Sequence, residues 1–253
     1  MNSHGVLMKD RSYLVSYPRS GANWLRYCIE VMSGRITHGV VPDVPLTPLD
    51  RSVEEAARKI LGKKLVPGID IEAPPILQHS HRWSSSYDTT TAILLVRDYK
   101  ECILRDYRGT IGDDGQVHQV ISNNSLKVLC NVDGVKDYAE LIQCYVDHLG
   151  PKHVVYYEDL KTNTAETLIS HGQFLKLNPA SVIKFLENIE EHNETSVRIY
   201  NNGVAKSYTE GTANVKLHSD KFLSPHEKKR WDKYIIKNYP DIKPIIERYA
   251  EDA

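Results

Sequence analysis

The period of the hydrophobic pattern changes along the chain, and those changes mark its elements. Tyr13-Leu14-Val15-Ser16-Tyr17 is a short β-prone run that stops at Pro18. Directly after it, Trp24, Leu25, Cys28, Ile29 and Met32 recur at helical spacing, which predicts a helix stopped by Gly34. Pro74-Pro75-Ile76-Leu77-Gln78-His79 predicts a second strand, and Thr91-Ala92-Ile93-Leu94-Leu95-Val96 a third. The continuous apolar run of the third suits a strand buried on both faces. His153-Val154-Val155-Tyr156-Tyr157 predicts a fourth strand that ends on Glu158-Asp159.

Helical patterns fill the intervals: Arg51 to Leu61, Lys100 to Tyr107, Lys136 to Leu149, Ala165 to Leu175 and Pro179 to Asn188. Ser224-Pro225-His226-Glu227 is a helix start, with Ser as N-cap, Pro at the first position and Glu at the third. It opens helical sequence running to about Tyr249. Residues 37–50 are Pro-rich and read as loop; residues 108–134, with Gly109, Gly112, Gly115 and Gly134, read as a mobile surface segment. Residues 195–223 read as irregular. Strands alternating with helices imply an α/β domain whose parallel sheet is covered on both faces. One domain is expected over residues 1–253, with ligands at the carboxyl ends of the strands.

Composition adds little to this and removes several classes. The 253 residues are 41% hydrophobic and 26% charged, enough for a large buried core. A formal net charge of −1 gives no reason to expect a nucleic acid or an anionic membrane as partner, though it permits a local basic pocket. No run approaches a membrane span, and the polar Met1–Ser12 stretch lacks the apolar core of a signal peptide. Cys28, Cys102, Cys130 and Cys144 form no metal-ligand spacing. Reduced thiols in a cytoplasmic protein are the expectation, with no metal.

The chemistry starts where the first strand meets the first helix. Arg19-Ser20-Gly21 occupies that junction. A helix N-terminus has unpaired N–H groups and a partial positive charge, so it attracts a phosphate. Gly21 lets backbone approach an anion, Ser20 offers a hydroxyl, and Arg19 adds a fixed charge. The segment is not a Walker A loop, because no Gly-Lys-Ser/Thr is present.

The whole string Ser16-Tyr17-Pro18-Arg19-Ser20-Gly21-Ala22-Asn23-Trp24 resembles the 5′-phosphosulfate loop of the sulfotransferase superfamily, Y-P-[KR]-S-G-x-[TN]-W. These enzymes use 3′-phosphoadenosine 5′-phosphosulfate (PAPS). Tyr17, Pro18, Arg19, Ser20, Gly21 and Trp24 match; Ala22 and Asn23 depart from the commonest residues but keep a small side chain or a donor. Val96-Arg97-Asp98-Tyr99-Lys100-Glu101 resembles the family's 3′-phosphate segment, in which Arg97 falls on the contacting position. The serine usual eight residues later is Arg105 here. Tyr157-Glu158-Asp159-Leu160-Lys161 resembles the Y-E-D-L-K block whose tyrosine contacts the adenine side. The family's R-K-G triplet is absent; Lys206-Ser207 lies in the corresponding loop. Leu77-Gln78-His79-Ser80-His81 resembles the K-[TS]-H segment that supplies the base.

The resemblance therefore implies a P-loop NTPase-like three-layer α/β/α fold with a parallel sheet of four to five strands. It implies sulfuryl transfer from PAPS to a hydroxyl of a small-molecule, lipid or carbohydrate acceptor, leaving PAP. His81 is the implied base, with Arg19 and His79 beside the transferring group. Arg19, Ser20, Gly21, Ala22, Asn23, Trp24, Arg97, Arg105, Tyr157, Lys206 and Ser207 are the implied nucleotide contacts. Two other readings stay open: a small-molecule kinase sharing the fold, and a non-catalytic PAP-binding protein. Residues 37–73 and 108–134 carry no signature of an acceptor.

Overall fold

A computed structural model describes residues 12–38, 69–70, 73–83, 90–108, 110–111, 117–118, 134–200 and 223–250. The helix expected at Arg51–Leu61, together with Lys206 and Ser207, lies outside them, as do most of 37–50 and 108–134.

Five strands form one parallel sheet. They are β1 (Ser12–Ser16), β2 (Thr37–His38), β3 (Leu77–Ser80), β4 (Thr91–Val96) and a later strand, Lys152–Tyr156, in the order β2-β3-β1-β4 and then that strand. Between β4 and the last of these come α2 (Tyr99–Arg108), a two-residue antiparallel pair β5 (Thr110–Ile111) and β6 (Val117–His118), and α3 (Val135–Asp147). Lys152–Tyr156 is therefore β7. The first helix, α1, is Ala22–Ser33. After β7 come α4 (Tyr157–Thr162), α5 (Thr164–Phe174), α6 (Pro179–Glu187), α7 (Ile189–Tyr200) and α8 (Pro225–Asn238). A 3-10 turn (Pro240–Ile242), α9 (Lys243–Ile246) and a second 3-10 turn (Glu247–Tyr249) complete it.

The alternating direction of side chains in a strand sorts the core into two halves. Tyr13, Val15, Ala92, Leu94 and Val96 face α2, α3 and α8 on one side, packing with Tyr138, Ile142, Trp231 and Ile235. Leu14, Leu77, Ile93, Leu95 and Val155 face α1, α5 and α6 on the other, packing with Leu25, Ile29, Leu168 and Phe185. Every residue from Ala92 to Val96 is buried, so β4 is a central strand as its unbroken apolar run predicts. The three-layer α/β/α arrangement matches the expectation, with the upper number of strands.

Several local expectations are corrected. β2 lies inside the segment read as Pro-rich loop; at two residues it is too short to show a period. Tyr157 is not a strand residue but the first of α4, because the ladder between β4 and β7 ends at Val96 and Tyr156. The irregular reading of 195–223 fails at its start, where α7 continues to Tyr200. The C-terminal helical sequence does reach Tyr249 as expected, in more than one helix: it divides at Tyr239-Pro240, since proline cannot continue the helical hydrogen bonding. Its start is as expected: Ser224 and Glu227 form a reciprocal capping box.

The turn from β1 to α1 is tightly constrained. Arg19 and Gly21 both have positive φ, at 67° and 90°, and Ser20 N–H donates to the Tyr17 carbonyl at 3.3 Å. A Cβ on Gly21 would lie 2.4 Å from a Tyr157 ring carbon. Gly21→Ala is expected to cost about 1–3 kcal/mol from backbone strain alone, plus displacement of that ring. In a Tyr157→Ala background the same substitution should cost less, because the ring is gone. Urea unfolding of the four proteins tests this; equal costs in both backgrounds would show that the ring does not constrain the turn.

On α5, His171 is fully buried and neither ring nitrogen has a hydrogen-bond partner. It stacks on His153 at 5.3 Å. Burial, with His153 adding to it, pushes its pKa down to about 3. The unfolded chain therefore takes up a proton below about pH 6.5 that the native state refuses, and stability falls as pH falls through that window. His171→Leu should remove roughly 2 kcal/mol of the stability difference between pH 7 and pH 5. Melting curves at both pH values measure it; an unchanged difference contradicts the assignment.

Candidate functional site

Four neighbouring strands, β3, β1, β4 and β7, end at the same edge of the sheet. The register aligns Ser16 with Leu95, Val15 with Ser80, and Val96 with Tyr156. The residues that follow each strand therefore meet at one place, as expected for a parallel α/β sheet. The β1–α1 turn sits in the middle, with the histidines of β3 on one side and Arg97 and Tyr157 on the other.

On the first side Ser16, the last residue of β1, is fully buried and bonds to both histidines. Its hydroxyl lies 2.9 Å from His79 Nε2, and its carbonyl accepts from His81 Nδ1 at 2.7 Å. The imidazoles pack edge to face with centroids 4.6 Å apart. A carbonyl cannot donate, so Nδ1 of His81 carries the proton. Its Nε2 then keeps a lone pair, and no hydrogen bond engages that atom among the described residues. Burial lowers the His81 pKa, with Arg26 and Arg19 also opposing protonation while the Ser16 bond favours it. Burial lowers His79 still further, with His81 and Arg26 contributing. Both are neutral at pH 7. His79 is 3% exposed and turned onto Ser16, whereas His81 keeps partial exposure.

Behind this pair, Arg26 of α1 donates to the Thr37 hydroxyl from Nε at 2.8 Å and to the Thr37 carbonyl at 3.1 Å. Glu30 accepts from the same threonine, at 3.0 Å from N–H and 2.6 Å from the hydroxyl. This buried set ties α1 to β2 and fixes a positive charge near the histidines. Neither Ser16 nor Arg26 was expected from the sequence. The available signal was a polar residue closing a buried strand, and an arginine one turn into an apolar helix face.

On the second side Arg97 donates to the Arg19 carbonyl at 3.0 Å and lies over the Tyr157 ring at 4.3 Å. That ring in turn covers Gly21. Tyr138 donates to the Arg97 carbonyl at 2.9 Å. Arg97, Tyr157, Arg19 and Gly21 are thus brought together. Ala22 is buried in the first turn of α1 and Asn23 is exposed. Ser20 is 1% exposed, and its hydroxyl faces Cys102 Sγ at 3.4 Å. Burial pushes the Cys102 thiol up to about 12, so it remains a thiol and not a nucleophile. Arg105 is paired with Glu101, one turn earlier on α2, at 2.8 Å. Asp98 caps α2 by accepting from Lys100 N–H at 2.9 Å, and burial raises its carboxyl to about 6.

Trp24 stacks on Tyr27 at 5.8 Å and meets Phe185 at 6.3 Å, with the Lys161 ammonium 6.0 Å from its ring. Its indole Nε1 is buried and has no hydrogen-bond partner. An orphaned buried donor is costly unless something accepts from it. A nucleotide base supplies acceptors, and two arginines with a helix N-terminus suit its phosphates, so the residues present fit an adenine nucleotide with anionic groups. No cluster of metal-binding side chains occurs among the described residues. No described helix is long and apolar enough to cross a membrane.

No protein-family model matches the chain. A curated relative, WSCD family member CG9164 of Drosophila melanogaster, is 26% identical in a 180-residue alignment that covers 64% of this chain. The match spans 49% of that protein, so the chain corresponds to about half of its length. Among solved structures, the sulfotransferase domain of the Synechococcus PCC 7002 olefin synthase aligns at 15% identity over 88% of this chain and 94% of that one, with a TM-score of 0.42. Mouse sulfotransferase SULT7A1 complexed with PAP aligns over 96% of this chain and 89% of that one, at 16% identity and a TM-score of 0.60. At that identity the likeness concerns architecture: the chain has the fold of a sulfotransferase.

Proposed function

We propose that this chain is a PAPS-dependent sulfotransferase acting on a hydroxyl of a small-molecule, lipid or carbohydrate acceptor. The observation that carries the reading is the opposition of two half-sites across the β1–α1 turn. A neutral histidine with an unengaged Nε2 stands on one side, and Arg97, laid over the Tyr157 ring and bonded to the Arg19 carbonyl, stands on the other. That arrangement matches a reaction needing a proton acceptor next to an anion-binding turn. That mouse SULT7A1 was solved with PAP supports the choice of nucleotide.

The geometry supports the following roles. His81 Nε2 takes the acceptor's hydroxyl proton while Nδ1–H stays on the Ser16 carbonyl, which fixes the tautomer and the ring plane. PAPS supplies the activated sulfuryl group. Arg19 and the N-terminus of α1 stabilise negative charge gathering on the departing phosphate side. Arg97 and Tyr157 hold the rest of the nucleotide, with Trp24 toward the base. His79 acts through Ser16; its burial keeps it from the acceptor. Lys206, Ser207 and Arg105 complete the nucleotide side in this reading, Arg105 by exchanging Glu101 for phosphate.

Isothermal calorimetry with PAP and ATP tests the cosubstrate. Binding of PAP but not ATP is expected, and no PAP binding at millimolar ligand would sink the proposal. His81→Gln should lower turnover by about two to four orders of magnitude with PAP affinity retained; unchanged turnover with labelled PAPS and a panel of hydroxylated acceptors rejects His81 as base. Because burial lowers the His81 pKa, wild-type kcat/KM should stay flat from pH 8 to about pH 6.5 and fall only below that. A decline already complete at pH 7 contradicts the neutral-base assignment.

A further inference from the structure

The turn Glu247–Tyr249 is remote in sequence from the nucleotide side of the site, yet it is bonded directly to it. Tyr249 O–H donates to Glu158 Oε2, while Glu158 Oε1 accepts from Asp98 N–H at 3.2 Å. Arg248 grips Asp159 with two bonds, NH1 to Oδ2 at 2.9 Å and NH2 to Oδ1 at 2.8 Å. Its guanidinium lies 4.4 Å from the Tyr156 ring centroid and 5.6 Å from that of Tyr249. Lys100 donates to the Tyr249 carbonyl at 2.5 Å and pairs with Asp232 at 2.7 Å. Tyr156 O–H donates to the Ile245 carbonyl at 3.2 Å.

These contacts occur where the sheet stops holding itself together. The β4–β7 ladder ends at Val96 and Tyr156, and the residue that follows each strand is Arg97 or Tyr157. Beyond the ladder, Glu158 bridges the two strand ends, and the C-terminal turn fixes Glu158. The same contacts solve a charge problem. Asp98, Glu158 and Asp159 cluster beside a proposed anion site, where bare carboxylates repel phosphate. Tyr249 and Arg248 occupy the oxygens of Glu158 and Asp159 and turn them into scaffold. Burial raises Asp98, with Glu101 and Glu158 reinforcing the rise and Lys100 opposing it.

We propose that the turn carrying Arg248 and Tyr249 is a clamp, and that these two are positioning residues that hold Arg97 over Tyr157 at the spacing needed to bind the nucleotide. The inference rests on the proposed function for the identity of that nucleotide. Holding binding groups in place before the ligand arrives strengthens binding without any contact to the ligand.

The test compares Tyr249→Phe, Arg248→Ala and Arg248→Lys with a stability control, Val182→Ala, which empties core on α6. PAP affinity is measured by calorimetry well below all melting temperatures, and amide hydrogen exchange is followed over 97–101 and 156–160. Tyr249→Phe and Arg248→Ala should weaken PAP by about tenfold, ~1.4 kcal/mol, and speed exchange in both segments. Arg248→Lys should recover part of the loss, since it keeps the charge without the fork. Val182→Ala should lower the melting temperature and leave PAP affinity unchanged. Tyr249→Phe and Arg248→Ala binding PAP like wild type would overturn the clamp. If wild type binds no PAP, the proposed function falls, and exchange decides the clamp: faster exchange at 97–101 in Tyr249→Phe upholds it, and unchanged exchange overturns it.

Discussion

The Tyr157 ring lying on Gly21 is the contact on which the site depends. A side chain at position 21 has no room, and the positive φ there has a low cost only for glycine. The same ring carries the Arg97 guanidinium, which also reaches the Arg19 carbonyl. Three strand ends are joined by one stack. The arginine contributes both charge and a flat surface, which a lysine would not.

Electrostatically, the turn divides the site into two environments. On the β3 side burial is the dominant cause, and it keeps His79 and His81 neutral. On the β4–β7 side the Arg97 guanidinium bonds the Arg19 carbonyl, which sets a positive charge beside the N-terminus of α1. Ser16 belongs to both: its backbone leads into the β1–α1 turn, and its side chain and carbonyl orient the two imidazoles. A shift in the turn would therefore move His81 as well, which couples the two halves without a separate device.

Much of this was legible in the sequence, and the legible parts share a character. The unbroken apolar run at 92–96, the 3–4 spacing over 24–32 and the Ser224–Glu227 capping box are short-range patterns set by backbone geometry. The position of Arg97, His81 and Tyr157 at strand ends was legible through motif resemblance. Tyr157 as a helix residue was not, because its β-prone neighbours extend the strand pattern, and only the loss of ladder partners past Tyr156 ends it. The role of His79 was likewise hidden. Spacing puts it on the same face as His81, but its bond to Ser16 needs β1 and β3 to be paired in the observed register.

The sequence by itself determined the layers, the positions of the four main strands along the chain and the residues offered at their ends, since period and turn chemistry act over a few residues. Tertiary structure alone decided what those residues touch. It set Ser20 toward Cys102, paired Arg105 with Glu101, and brought Arg248 and Tyr249 onto Asp159 and Glu158 across about ninety residues of chain. Such partners are chosen by strand register and helix packing, which depend on contacts distant in sequence and leave no local pattern to read.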